Sequence, residues 1–146
     1  MSLVPAFWDS SALVPLCFPE AGSPIADELA QQFTPVVWWA TPVEIESALA
    51  RKLRTGSLSN EQSQEAAKRF EKLATRWEVI DPSDEVLSTA RALLKRFDLR
   101  AADGLQLAAA IAWRGFDDER TVFITGDNRL GDAAKASGFY VKSTAK

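Results

Sequence analysis

The sequence predicts an α/β sandwich in which helices cover both faces of a mostly parallel sheet of four or five strands. Short apolar runs alternate with segments of helical periodicity along all 146 residues. The runs at residues 4–8 and 36–39 are apolar at successive positions, which is typical of parallel strands buried on both faces. The chain is long enough for one hydrophobic core and contains no linker, repeat or low-complexity segment. We therefore expect a single domain over residues 1–146.

Local sequence signals set the expected bounds of each element. We predict strands at residues 4–8, 36–39, 78–80, 121–124 and 139–141. Helices are predicted after an N-cap at Ser10 or Ser11, from Gly22-Ser23-Pro24 to Thr34-Pro35, from Ser59 to Ala74, from Val86 to Phe97, from Asp103 to Gly115, and over residues 130–136. A further helix, ending at Gly56, has the capping-box pattern, with Thr41 as N-cap and Glu44 three residues later.

Composition excludes several classes of chemistry. The chain has no histidine, which removes His-based acid–base catalysis, Ser-His-Asp hydrolysis and zinc sites that need imidazole. Cys17 is the only cysteine, so we expect a small core residue and no disulfide within the chain. The net charge of −3 argues against a broad basic surface but allows a local basic groove. The amino-terminal apolar run is broken by Pro5, Asp9 and Pro15 and resembles neither a signal peptide nor a membrane span, so we expect a cytoplasmic protein.

Four acidic residues stand where predicted strands end or predicted helices begin. Asp9 ends the first strand, Glu44 lies just past the second, and Asp127 follows the strand at residues 121–124. Ligands of open parallel sheets bind beyond the carboxyl ends of the strands, so these three side chains should project from one edge. Asp103 begins an Ala-rich helix and joins them if the amino terminus of that helix points to the same edge. We therefore predict that the four carboxylates meet at one site.

Each acid also has a structural explanation. Glu44 fits a capping box, Asp127 a helix N-cap, and Asp103 a favourable charge at a helix amino terminus. Asp9 is harder to explain in this way, because an acid at the end of a buried strand is costly to bury unless it is paired or binds a cation. Carboxylate oxygens are ligands of hard cations such as Mg²⁺ and Mn²⁺, which activate water and neutralise charge on a phosphate.

Each of the four acids lies in a short segment, and the four segments span nearly the whole chain: Phe7-Trp-Asp-Ser-Ser-Ala-Leu-Val14, Val43-Glu-Ile-Glu-Ser-Ala-Leu-Ala-Arg51, Leu99-Arg-Ala-Ala-Asp-Gly-Leu-Gln-Leu-Ala-Ala-Ala110 and Phe123-Ile-Thr-Gly-Asp-Asn-Arg-Leu130. In their order and spacing these segments resemble the PIN-domain nucleases, and in particular the VapC toxins of bacterial toxin–antitoxin pairs.

This resemblance implies a PIN-like three-layer sandwich and a metal-dependent endoribonuclease that hydrolyses RNA phosphodiester bonds. It implies that Mg²⁺ or Mn²⁺ is bound by four acids, with the last acting directly or through water: Asp9, Glu44, Asp103 and Asp127. The residues alone leave Glu44 and Glu46 as alternatives, since they lie about 200° apart around a helix and cannot share one role. The family pattern selects Glu44.

The resemblance also implies roles for neighbouring residues and for partners. Ser11 and Thr125 are expected to support the acids or metal-bound water by hydrogen bonding. Gln106 stands where relatives often have His, so no imidazole is available at this edge. Arg51 and Arg100 are expected to contact RNA phosphates. Relatives form homodimers and bind an antitoxin, so the expected partners are RNA, a VapB-like antitoxin and a second copy of the chain, with no membrane.

Two other functions are compatible with the acids. One is a Mg²⁺-dependent phosphatase with an aspartyl nucleophile, although such enzymes carry a second Asp two residues after the first, where this chain has Ser11. The other is a binding module that keeps the fold without catalysis, although all four acids are retained.

Overall fold

The computed structural model describes residues 3–116 and 121–145, within which the chain forms five strands and seven helices. The strands are β1 (Val4–Trp8), β2 (Phe33–Trp38), β3 (Glu78–Ile80), β4 (Val122–Thr125) and β5 (Tyr140–Ser143). The helices are α1 (Ser10–Cys17), α2 (Ser23–Ala30), α3 (Thr41–Arg54), α4 (Asn60–Ala74), α5 (Asp84–Arg96), α6 (Ala101–Arg114) and α7 (Asn128–Ala136). No helix in the described part of the chain is long and apolar enough to cross a membrane.

The five strands form one sheet in the order β3-β2-β1-β4-β5, and every neighbouring pair is parallel. The chain runs outward from β1 through β2 to β3 on one side, and then returns to build β4 and β5 on the other. The strand order therefore reverses between β1 and β4, where Phe7 pairs with Phe123. In open α/β sheets this reversal opens a crevice beyond the carboxyl ends of the strands. The predicted α/β sandwich is confirmed.

Alternating side chains of the central strand face two separate apolar cores, which makes the three layers. Ala6 and Trp8 pack with helices α1 to α4 on one face, whereas Phe7 packs with α5 to α7 on the other. Cys17 is buried in the first core, as predicted, and burial raises the pKa of its thiol to about 11. In the second core Gly104 lets α6 approach α5, because a Cβ at this position would lie 2.9 Å from Leu94 Cδ2.

Three predicted bounds around β2 are wrong. Helix α2 ends at Ala30, and β2 begins at Phe33 instead of residue 36, so Thr34 and Pro35 lie inside the strand instead of ending the helix. Pro35 is tolerated because this half of β2 pairs only with β1, while β3 pairs from Val36 onward, so the proline faces an open edge. The strand ends at Trp38, and Trp39, predicted to be its last residue, is 57% exposed.

Candidate metal centre

The four predicted acids line one cleft of about 840 Å³ at the carboxyl edge of the sheet, beside the reversal between β1 and β4. Asp9 is the N-cap of α1, directly after β1, and Asp127 is the N-cap of α7, two residues after β4. Glu44 lies in the first turn of α3, and Asp103 in the first turn of α6. All four therefore stand at the amino ends of helices, where the helix dipole favours negative charge.

Asp9 is almost fully buried, with 2% of its surface exposed. Burial raises the pKa of its carboxyl to about 7, although hydrogen bonds from Ser11 and Thr125 favour the charged form and lower the pKa. The Ser11 hydroxyl donates to the carboxylate at 2.8 Å, and the Ser11 backbone N–H donates at 3.3 Å. The predicted cap at Ser10 or Ser11 is therefore wrong by one or two positions, because Asp9 itself accepts the capping bond.

Glu44 does not form the predicted capping box. The N-cap of α3 is Ala40, Thr41 is already helical, and no side chain caps this end. The Glu44 carboxylate instead accepts hydrogen bonds from the Ser10 hydroxyl at 2.9 Å and from Gln106 Nε2 at 3.0 Å. Burial raises its pKa, these two bonds lower it, and the negative charge of Asp103 raises it further.

Asp103 is electrostatically coupled to the other three acids. Burial raises its pKa, and the charge of Asp127 raises it further, whereas Arg100 and Arg129 lower it. The charge of Asp103 in turn raises the pKa of Asp9 and of Glu44. Asp103 is thus the common neighbour of the other carboxylates, and its repulsion from them is part of the cost of an ion-free cleft.

Asp127 and the turn before it connect the two strands that frame the cleft. The Asp127 carboxylate accepts from the backbone N–H groups of Arg129 at 2.9 Å and Leu130 at 3.2 Å. Its own N–H donates to the Thr125 hydroxyl at 3.0 Å, and the Gly126 N–H donates to the Ser11 hydroxyl at 2.8 Å. The Ser11 hydroxyl thus accepts from the turn after β4 and donates to the acid after β1.

The donor set fits a hard divalent cation. Among residues 3–116 and 121–145, no three His, Cys, Asp or Glu side chains lie close enough together to enclose an ion. Mg²⁺ is commonly held by one or two carboxylates together with water, so three converging side chains are not required. Burial raises the pKa of three of these acids, and mutual repulsion adds to it, so a cation would relieve both penalties.

Basic side chains stand at the rim of the same cleft. The predicted Arg51 and Arg100 both line it, and Arg129, for which no role was predicted, lines it as well. The neighbouring Lys52 is directed elsewhere: its Nζ lies 3.4 Å from a Glu20 carboxylate oxygen and 4.7 Å from the centre of the Phe18 ring. Arg129 could have been identified from its place in the helical turn that begins at Asp127, an acid already singled out.

The fold and the cleft together define a class, a parallel α/β protein with an acidic, arginine-rimmed cleft at the strand-order reversal of its sheet. The PIN domain family model matches residues 6–136, and the chain belongs to this family, whose members are nucleases. No curated protein gives a significant match.

Solved structures share the fold over nearly the full chain. A toxin–antitoxin complex from Klebsiella pneumoniae has a chain of 18% identity and TM-score 0.66, covering 97% of this chain and 98% of that one. A chain of VapBC2 from Rickettsia felis, solved bound to a promoter DNA fragment, is 14% identical with TM-score 0.64, covering 96% and 98%. A chain of FitAcB from Neisseria gonorrhoeae is 16% identical with TM-score 0.65, covering 95% and 97%.

Proposed function

We propose that this protein is a metal-dependent endoribonuclease that hydrolyses RNA phosphodiester bonds. The observation that carries the proposal is the cleft at the β1–β4 reversal, which is lined by four carboxylates and flanked by three arginines. Membership of a nuclease family supports the same reaction class. The lack of histidine in the whole sequence further favours a metal over imidazole as the source of an activated nucleophile.

The acids of the cleft have a shared role in this proposal. Four residues that line the cleft would hold Mg²⁺ or Mn²⁺, directly or through water: Asp9, Glu44, Asp103 and Asp127. A divalent ion bound here would lower the pKa of a coordinated water and neutralise the negative charge that develops on the phosphate. The Ser11 hydroxyl donates to the Asp9 carboxylate and orients it, and hydrogen bonding from Ser11 and Thr125 partly offsets the rise in pKa that burial causes.

The arginines orient the RNA backbone over these acids. Arg51 of α3, Arg100 at the N-cap of α6 and Arg129 of α7 surround the cleft, so they can contact successive phosphates. Because the protein carries a net charge of −3, this attraction is confined to the rim of the cleft. Weak RNA binding in the absence of a divalent cation follows, since the empty cleft repels phosphate.

We further propose that the protein acts as the toxin of a toxin–antitoxin pair and is neutralised by a VapB-like antitoxin. Two solved structures with the same fold are named as a toxin–antitoxin complex and as VapBC2. A homodimer, RNA as substrate and a cytoplasmic location belong to the same proposal.

The aspartyl phosphatase is the weaker alternative. Its chemistry needs a second acid two residues after the nucleophile, and here the Ser11 hydroxyl occupies that place and donates to Asp9. The binding-module alternative requires the acids to be inert, and the following experiment tests that directly.

A matched pair of glutamates on α3 provides the test. Glu44 lines the cleft, whereas Glu46 on the same helix is exposed and outside it. With Mn²⁺ and a mixed single-stranded RNA substrate, we expect Glu44→Gln to lose roughly 100-fold or more in cleavage rate and Glu46→Gln to match the wild type. Wild-type cleavage that persists in excess chelator, or an equal loss in both variants, would refute the assignment.

A further inference from the structure

The Glu44 carboxylate is held at both oxygens by neutral donors from two other helices. The Ser10 hydroxyl of α1 donates to Oε1 at 2.9 Å, and Gln106 Nε2 of α6 donates to Oε2 at 3.0 Å. Gln106 lies one helical turn after Asp103 and is fully buried, at 0% exposure. Each carboxylate oxygen has two lone pairs, so each can still accept a second partner after these hydrogen bonds.

Both hydrogens of the Gln106 side-chain amide form hydrogen bonds with residues of α3. Nε2 donates to the Thr41 hydroxyl at 3.1 Å as well as to Glu44, so the amide spans the first turn of that helix. Thr41 is also fully buried, at 0% exposure. The opposite orientation of the amide would direct its oxygen at the carboxylate, so these two contacts fix which way the group points.

The arrangement is unfavourable for stability alone. Gln106 Oε1 is buried and has no hydrogen-bond partner among the described residues. An unpaired buried polar atom costs free energy that an apolar side chain of the same size avoids. Burial of Gln106 therefore costs stability, and what the protein gains from it is the hydrogen bond to the Glu44 carboxylate.

We infer that Gln106 is a positioning residue that fixes the Glu44 carboxylate for cation binding while adding no positive charge beside it. The inference rests on the proposed function of the cleft. A cationic donor here would compete with the metal ion for Glu44, and an apolar residue would let the carboxylate rotate. Gln106 does not line the cleft, so its effect on RNA is indirect and passes through Glu44.

Mn²⁺ affinity of the full chain, measured by titration calorimetry, tests the inference without requiring cleavage. Loss of a group that orients a metal ligand commonly weakens metal binding about 10- to 100-fold, which is the effect expected for Gln106→Met. Gln106→His, measured near pH 8.5 where an ordinary imidazole is neutral, restores an N–H donor of similar reach and most of the affinity. Gln64→Met, at an exposed glutamine of α4, is the matched control and leaves the affinity unchanged.

Two further readouts separate positioning from general damage. In cleavage assays Gln106→Met raises the Mn²⁺ concentration needed for half-maximal rate and leaves KM for RNA unchanged. In a Glu44→Gln background the same substitution causes no further loss of Mn²⁺ affinity, because the group it orients is already gone.

The outcomes are distinguishable. A wild-type protein that binds no Mn²⁺ overturns this inference together with the proposed function. Normal Mn²⁺ binding by Gln106→Met, or an equal loss in the Glu44→Gln background, overturns the inference alone. Should Gln106→Met not fold, Thr41→Val takes its place: it removes one acceptor of the amide, about threefold weaker binding is expected, and unchanged binding overturns the inference.

Discussion

Replacing Asp9 by Asn is expected to stabilise the metal-free protein while removing its response to metal. Asp9 is 2% exposed, and burial raises the pKa of its carboxyl from 3.8 to about 7. Asparagine keeps the shape of the side chain and an oxygen that can accept from the Ser11 N–H, but it has no charge to bury. Stability and activity should therefore change in opposite directions.

The magnitude follows from the pKa shift. Between about pH 4 and pH 7 the folded protein binds the Asp9 proton more tightly than the unfolded chain does, so stability falls as pH rises through this window and is level above it. One pKa unit corresponds to about 1.4 kcal/mol, so ionised Asp9 destabilises the metal-free protein by about 4 kcal/mol at pH 8. For a chain of this length the variant would gain about 10 °C in Tm there.

The assay is urea or thermal unfolding of both proteins in chelator from pH 4 to pH 8. The difference in unfolding free energy between variant and wild type should be small at pH 4 and grow steadily to pH 7. Taking the difference cancels the contributions to stability that are the same in both proteins. A difference that is constant with pH would refute the burial argument.

Addition of Mn²⁺ completes the same experiment. A ligand at 100 times its Kd stabilises the folded state by about 2.7 kcal/mol, so saturating Mn²⁺ should raise the Tm of the wild type and leave Asp9→Asn nearly unchanged. An equal rise in both proteins would place the bound ion away from Asp9.

Three other predictions concern the cleft and its frame. Asp103→Asn removes the acid coupled to the other three and should reduce RNA cleavage by roughly 100-fold or more in single-turnover assays, while the pKa of Glu44 falls toward its ordinary value. Gly126→Ala should lower stability by about 1–3 kcal/mol in thermal unfolding, because the new Cβ would lie 2.8 Å from the Thr144 hydroxyl. Arg51→Gln should weaken RNA binding and reduce the dependence of log Kd on log salt concentration by about one phosphate contact.

Each of these has a matched control. Glu46→Gln controls for the removal of an acid, since Glu46 is exposed outside the cleft. Gly131→Ala, in α7, places its Cβ no closer than 3.4 Å to Thr125 and Val141, so it should be neutral or stabilising. Lys52→Gln should leave RNA affinity unchanged, because Lys52 does not line the cleft and its Nζ lies beside Glu20. Equal effects in variant and control would contradict the corresponding prediction.

The sequence predicted the fold well because hydrophobic periodicity is a local signal that the parallel sheet preserves. The strand bounds at Val4–Trp8 and Glu78–Ile80 match the prediction, and Asp9 and Asp127 follow their strands at the shared carboxyl edge. The prediction failed where the same sequence pattern is compatible with both a helix end and a strand. Thr34-Pro35 is typical of a helix end, yet Pro35 fits β2 because the neighbouring β3 begins too late to pair with it.

The contacts within the cleft could not be predicted from the sequence, because they join residues that are far apart along the chain. The pattern from Thr41 to Glu44 predicts a capping box by local chemistry, but Ser10 and Gln106 compete for the same carboxylate and bind it in the fold. Nothing local marks Gln106 as their partner, since its place on the apolar stripe of α6 predicts only burial. The choice of Glu44 over Glu46 likewise came from the family resemblance. Helical geometry shows only that the two side chains face different directions.

The pairing of β1 with β4 joins segments that lie far apart in the sequence, and it has a consequence for synthesis. The Asp9 N–H donates to the Ile124 carbonyl oxygen at 3.1 Å, and Thr125 completes the surroundings of the Asp9 carboxylate. A nascent chain whose β4 is still inside the ribosome carries three of the four acids but lacks the contacts that Ile124 and Thr125 make with Asp9. The cleft thus forms only after β4 has been synthesised and has paired with β1, and fragments ending before β4 should have no nuclease activity.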